Sequence, residues 1–194
     1  MDTSNKKVGQ ILQAAETLFY RYGLKKVTVE EICREGRVSK MTFYKHFRNK
    51  DDLILKMMRA LVKSSSEKYR GIMKKDIPYP EKVKEMIRMK LEYAEKMSSD
   101  FIREYLEIAN PEILSFMTES TGESLSMLLD DFRKAAEEGW IRKEVKPEFI
   151  IYFINHFSDM MKDQKLMGLY KDPAEAIAEL INFFFYGIMA RDKK

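Results

Sequence analysis

TVEEICREGRVSKMTFYKHFRNK, residues 28–50, decides the fold. Thr28 and Glu31 have capping-box spacing ahead of an apolar run, so a helix opens at Val29. Gly36 ends it, Arg37-Val38 carry the chain over, and Ser39 is a second N-cap. The pattern predicts a helix over Lys40–Phe47 and a third start at Lys50, capped by Asn49. Two short helices joined by a tight Gly-containing turn form the arrangement that reads DNA.

At about 100° per residue, Phe43 and Phe47 share the core side of the second helix. Met41 and Lys45 lie opposite, Thr42 and Tyr44 flank them, His46 sits nearer the core edge, and Lys40 occupies the first turn. Cations and hydroxyls for phosphate, with one or two residues for base edges, are what a groove-facing helix needs. A solvated amphipathic helix is the alternative reading of the same wheel. Charge favours DNA: residues 1–70 hold 16 Lys/Arg against 8 Asp/Glu, although the whole chain carries only +4. Lys50 points the same way, because a cation in the first turn opposes the helix dipole and is better explained by a phosphate. A preceding helix, Lys6 to Tyr22, carries Val8, Ile11, Leu12, Ala15, Leu18 and Phe19 at helical spacing and ends at Gly23.

These motifs together resemble the N-terminal domain of the tetracycline-repressor (TetR-like) family of bacterial regulators. The matching residues are Ala15–Phe19, Gly23, Thr28, the G-x-V-S of Gly36–Ser39, Thr42–Phe47 and Asn49–Leu53. The resemblance in sequence ends near residue 60. It implies base-edge positions for Lys40, Met41 and Tyr44, and backbone-phosphate positions for Thr28, Thr42, Lys45, His46 and Lys50. Met41 offers no hydrogen bond, which leaves a thymine methyl group or simple space-filling. Cys33, the only cysteine, reads as a small buried apolar residue rather than a redox sensor.

The rest of the chain reads as helices. Eight Gly and five Pro, with no alternating strand pattern, argue against a sheet. The predicted helices run from Asn49 to Met73, over 80–97, from an Asp100 cap to Ile108, and from Pro111 to a break at Gly122. Others follow over Glu123–Glu138 with Gly139 behind it, from Pro147 to Gln164, and from Asp172-Pro173 to Ala190. The expected fold is all-α: a three-helix helix-turn-helix head (1–50), a connecting helix (51–75), and a helical ligand-binding and dimerisation domain (76–194). The N-terminus lacks a signal-peptide core, and the most apolar runs are about half the ~20 residues needed to span a bilayer. With no disulfide framework, a cytoplasmic protein is expected.

Nine of fourteen Met follow residue 80, among many aromatics. Met86, Met89, Tyr93, Phe101, Tyr105, Phe116, Met127 and His156 are candidate lining for a small-molecule cavity, or core of an irregular bundle. His156 is either a satisfied core histidine or a polar anchor. Arg88 and Lys90 are expected to reach solvent from the edges of their helix, so the effector should be apolar or weakly polar. The dimer seam is expected at Phe149, Phe153, Phe157, Ile177, Ile181, Phe184 and Ile188, in a four-helix arrangement like that of the family. No catalytic constellation, nucleotide motif or metal-ligand spacing occurs, and no cofactor is expected. The implied function is a homodimeric, ligand-responsive repressor of a palindromic operator in double-stranded DNA. The alternative is a constitutive dimeric DNA-binding protein without an effector.

Overall fold

The computed structural model describes residues 3–190, with backbone only for residues 3–5 and Ser158. These residues form ten helices: α1 Thr3–Tyr22, α2 Val29–Glu35, α3 Lys40–His46, α4 Lys50–Met73, α5 Tyr79–Ala94, α6 Ser99–Leu106, α7 Pro111–Glu137, α8 Pro147–Met160, α9 Gln164–Met167 and α10 Pro173–Ile188. The only extended pairing among them is an isolated bridge between Ile141 and Met189. None of the described helices is long and apolar enough to cross a membrane.

The chain packs as two compact units, each built from separate stretches. The first runs to Ser64 and resumes over Lys96–Met117; the second takes Ser65–Glu95 and the chain from Thr118 onward. The boundaries expected at 50 and 75 follow the chain in order, whereas packing interleaves it: α6 returns to the head. In the first unit α1 packs on α2, α3 and α6. Ile11, Ala15, Phe19, Ile32, Phe43, Phe47 and Leu53 are buried there, the stripe that the periodicity of α1 and α3 required. In the second unit α5 and α10 pack together, and Val83, Met86, Phe132, Ile150, Phe184 and Phe185 form the centre of its core.

Three predicted boundaries are corrected. α7 runs unbroken through Gly122. A side chain there would meet nothing within 4 Å, so the glycine sits on an open face. Its propensity deficit, about 1 kcal/mol against alanine, is spread over a 27-residue helix anchored by buried Ile113, Phe132 and Ala135. α6 is capped by Ser98, whose Oγ accepts the Phe101 N–H at 3.2 Å. The Asp100 carboxylate is instead held by Lys26 at 2.7 Å and Arg103 at 2.6 Å. α8 stops at Met160, because Asp163 starts α9 by accepting the N–H groups of Lys165 and Leu166 at 2.8 and 3.1 Å.

Candidate functional site

The helix-turn-helix forms as its residues dictate. Thr28 Oγ1 accepts the Glu31 N–H at 3.3 Å, and Glu31 Oε2 accepts the Thr28 N–H at 2.8 Å, completing the capping box. Ser39 Oγ accepts the Thr42 N–H at 3.0 Å and starts α3. Between them, Gly36 ends α2 with a right-handed φ of −76°, and Arg37 takes φ 51°. Gly36 is needed for its lack of a side chain. A Cβ there would stand 3.2 Å from the Gln10 carbonyl and 3.4 Å from the Ala14 Cβ, so α1 lies directly against the turn.

Phe43 and Phe47 fix α3 by its inner side, their ring centroids 5.4 Å apart and both buried. The outer side is therefore free: Met41 is 82% exposed and Tyr44 57% exposed, with Lys40 and Lys45 exposed beside them. Tyr44 is steadied edge-on against Phe43 at 5.2 Å. Lys40 forms an ion pair with Glu30, and that hydrogen bond holds the Glu30 carboxyl below its usual range. Both ends are exposed, and such pairs contribute little, so the ammonium can be redirected at small cost. The Thr28 and Thr42 hydroxyls already serve the caps, Thr42 Oγ1 lying 2.9 Å from Ser39 Oγ. His46 is half-buried, and its carbonyl accepts from Lys56 at 2.8 Å.

Lys50 has competing partners. Its ammonium donates to the carbonyls of Leu24, Lys25 and Val27 at 3.0, 3.3 and 3.1 Å, which occupies all three of its protons. Three carbonyl dipoles thus compensate a cation at a helix start, where a phosphate was expected to do so. Asp52 is a residue that the sequence reading missed. Burial opposes its charge, but the Arg48 N–H at 2.9 Å and the Lys56 ammonium at 3.1 Å hold its carboxyl below the usual range. Its signal was an Asp three residues after Asn49, whose Oδ1 caps α4 through the Asp52 N–H at 2.9 Å.

The candidate effector residues fall into both units. Phe101 packs edge-on against Tyr20 at 4.8 Å and stacks with Tyr105 at 6.1 Å in the first unit, where Arg59 lies over the Phe116 ring at 5.4 Å. In the second unit Met86 and Met89 are buried, Met127 is half-buried, and the Tyr93 hydroxyl receives a hydrogen bond from Lys68 at 2.9 Å. His156 is neither a core histidine nor an inward anchor. It is exposed, stacked on Tyr152 at 4.1 Å, with Nδ1 2.8 Å from the Tyr152 carbonyl. Lys90 is exposed, as Arg88 is, although its angle on α5 lies opposite Glu81 and Glu92.

The expected dimer residues also separate. Phe184 and Ile188 belong to the second unit's own core, where Phe184 stacks on Phe153 at 4.8 Å. Phe157, Ile177 and Ile181 are half-buried, and Phe149 is exposed. The open apolar surface of α8 and α10 is instead Phe149, Tyr152, Phe183 and Tyr186. Among the described residues no group of three His, Cys, Asp or Glu could hold a metal ion.

Residues 11–57 match the bacterial regulatory proteins of the tetR family. Over 153 residues the chain is 21% identical to the HTH-type transcriptional repressor KstR2 of Mycobacterium tuberculosis, covering 77% of this chain and 76% of that one. Two solved structures share the fold. The transcriptional regulator FadR from Bacillus subtilis in complex with stearoyl-CoA has a TM-score of 0.68 at 19% identity, over 93% of this chain and 98% of that one. A transcriptional regulator from Saccharomonospora viridis in complex with choline has a TM-score of 0.68 at 18% identity, over 96% and 100%. Capped α2 and α3, with the outward face of α3, thus lie within the stretch, residues 11–57, that matches the tetR family of bacterial regulatory proteins.

Proposed function

We propose that the chain is a homodimeric, ligand-responsive repressor that binds a palindromic operator and is released by a small, mainly apolar effector. The observation that carries it is the outer face of α3: a methionine and a tyrosine held open to solvent, with Lys40 and Lys45 beside them. Exposed apolar side chains on a cationic helix face suit a groove that offers thymine methyl groups between phosphates. Lys40, Met41 and Tyr44 are the proposed base-edge residues. Lys45 is the strongest phosphate candidate, with Thr28, Thr42 and His46 at the margins.

Dimerisation is supported by four exposed rings, Phe149, Tyr152, Phe183 and Tyr186, on two helices of one unit. Large exposed apolar side chains that gather into a patch mark an interaction surface. A two-fold pair of heads would meet half-sites about one helical turn, roughly 34–36 Å, apart. An effector is supported by the methionine-rich second unit and by the two ligand-bound relatives, whose ligands differ in charge. Such an effector acts through its differential affinity for the DNA-fitting and non-fitting shapes.

Selection of bound duplexes from a random library, with the full chain, tests this reading. A palindrome recovered by wild-type protein and lost with Tyr44→Ala is the expected result. Recovery of no preferred sequence would reject it.

A further inference from the structure

Tyr79 stands in the first turn of α5, 7% exposed, and its hydroxyl has no hydrogen-bond partner among the described residues. A buried hydroxyl without a partner is unfavourable. Burial, with the nearby Asp131 charge, holds it above the usual tyrosine range, so it stays protonated. The Tyr79 side chain helps to line a hollow of about 450 Å³ in the second unit. The hollow lies between the end of α4, the linker that follows, the start of α5 and the end of α7. Its volume falls in the range of small-molecule sites, roughly 300–1,000 Å³.

The charges around that hydroxyl do not balance. Asp76, Asp131 and Glu138 line the hollow, against Lys82 and Lys134. Lys82 donates to the Met73 carbonyl at 2.9 Å rather than to a carboxylate. Lys134 is 71% exposed and stands 4.0 Å from Asp131 Oδ1, a contact worth little. Asp131 is the most enclosed of the three acids: its side chain is 23% exposed, and its Oδ2 accepts the Tyr69 hydroxyl at 2.7 Å. The Trp140 indole donates to Glu138 at 3.0 Å, which sets an aromatic wall beside a second carboxylate. A half-buried carboxylate with one oxygen weakly served, next to an unpaired hydroxyl, calls for a cationic donor.

We propose that this hollow binds a small organic cation, a primary ammonium carried on a compact apolar body. The ammonium would lie between Asp131 and Tyr79, donating to the carboxylate and to the tyrosine oxygen. Ile77, Pro78, Ala135 and the Trp140 ring would hold the apolar body. The three carboxylates disfavour an anion, and a quaternary ammonium has no N–H for Tyr79. The hollow shares no residue with the outer face of α3 or with the exposed rings of α8 and α10. The site therefore stands apart from the repressor reading, and its test needs no duplex.

Calorimetric titration of the full chain with three probes of one shape tests this: phenethylamine as the cation, phenethyl alcohol as the neutral form and phenylacetate as the anion. Wild type is expected to bind phenethylamine about tenfold or more tighter than phenethyl alcohol, and phenylacetate most weakly. Asp131→Asn keeps an acceptor for Tyr69 and is expected to abolish the preference for the cation. Tyr79→Phe is expected to weaken phenethylamine about tenfold while melting no lower than wild type, because it removes an unpaired hydroxyl and keeps the ring. Thermal melting of each variant checks its fold, and Tyr79→Phe alone decides if Asp131→Asn melts early. Equal binding of the three probes, binding of none, a cation preference that survives in folded Asp131→Asn, or undiminished phenethylamine binding in Tyr79→Phe would overturn the assignment.

Discussion

Glu104 Oε2 accepts the backbone N–H of Lys25 at 2.8 Å, and a Cβ on Gly23 would meet that same oxygen at 2.7 Å. A carboxylate from α6 thus closes over the turn that ends α1. Gly23 suits the site doubly, since its φ is 85° and no side chain fits beneath the carboxylate. The neighbouring contacts repeat the clamp. Lys26 pairs with Asp100 at 2.7 Å, Lys25 with Glu107 at 3.2 Å, and the Ser98 N–H donates to the Tyr20 carbonyl at 2.7 Å. The segment that follows α5 is thereby fastened to the first helix of the head.

Glu104→Ala should therefore loosen the head. It strands the part-buried Lys25 N–H, and losing such a hydrogen bond costs about 1 kcal/mol. For a chain of this size that lowers the melting temperature by roughly 2–4 °C per kcal/mol. Gly23→Ala should be at least as harmful, because a left-handed φ and a clash coincide. Glu104→Gln keeps an acceptor and should fall between wild type and alanine. A melting temperature unchanged in Glu104→Ala would show that the clamp carries no stability.

Lys45 and Lys50 should separate in a salt titration. Duplex affinity should fall steeply with salt, and Lys45→Ala should weaken binding to all sequences alike while reducing the log–log slope by about 1. Lys50 spends its protons on the carbonyls of Leu24, Lys25 and Val27. Lys50→Met should lower the melting temperature and leave the slope near that of wild type. A slope that drops with Lys50→Met would return this lysine to the phosphate.

The head was legible because its signals are local. Thr28 with Glu31, Ser39 with Thr42, and Phe43 with Phe47 each act within one helical turn. Lys50 was misread because its partners lie 23–26 positions away in sequence, in a loop that the chain alone does not bring near. The seam residues were blurred for another reason. Phe183, Phe184 and Phe185 are consecutive and equally apolar, so periodicity cannot decide which of them the monomer buries.

Acid should weaken the head through Asp52. Burial disfavours its charge, yet the Arg48 N–H and Lys56 outweigh that and depress its carboxyl. A depressed carboxyl contributes stability that is fully present above the unfolded value of about 3.9 and is lost as pH falls through the lower folded value. Urea unfolding between neutral pH and about pH 2 should show wild type losing more stability than Asp52→Asn, with most of that difference appearing below about pH 4. Parallel pH profiles for the two proteins would remove Asp52 from the account.

Phe183 and Phe184 should give opposite failures when each is changed to glutamate. Phe184 is 7% exposed, packed among Phe132, Phe153 and Phe185, and a carboxylate there would be buried without a partner. Phe184→Glu should cost several kcal/mol and yield misfolded protein rather than a clean monomer. Phe183 is 74% exposed in the single chain, so Phe183→Glu meets no penalty until two copies pair. It should leave the helical signal and the melting of the isolated chain intact while shifting sedimentation from dimer to monomer. Operator affinity should then collapse with the head unaltered, because a single half-site keeps only its own contacts. Tyr152→Glu, on α8, should act in the same direction if both helices share one seam. A Phe183→Glu protein that sediments as a dimer would move the interface away from the exposed rings of α8 and α10.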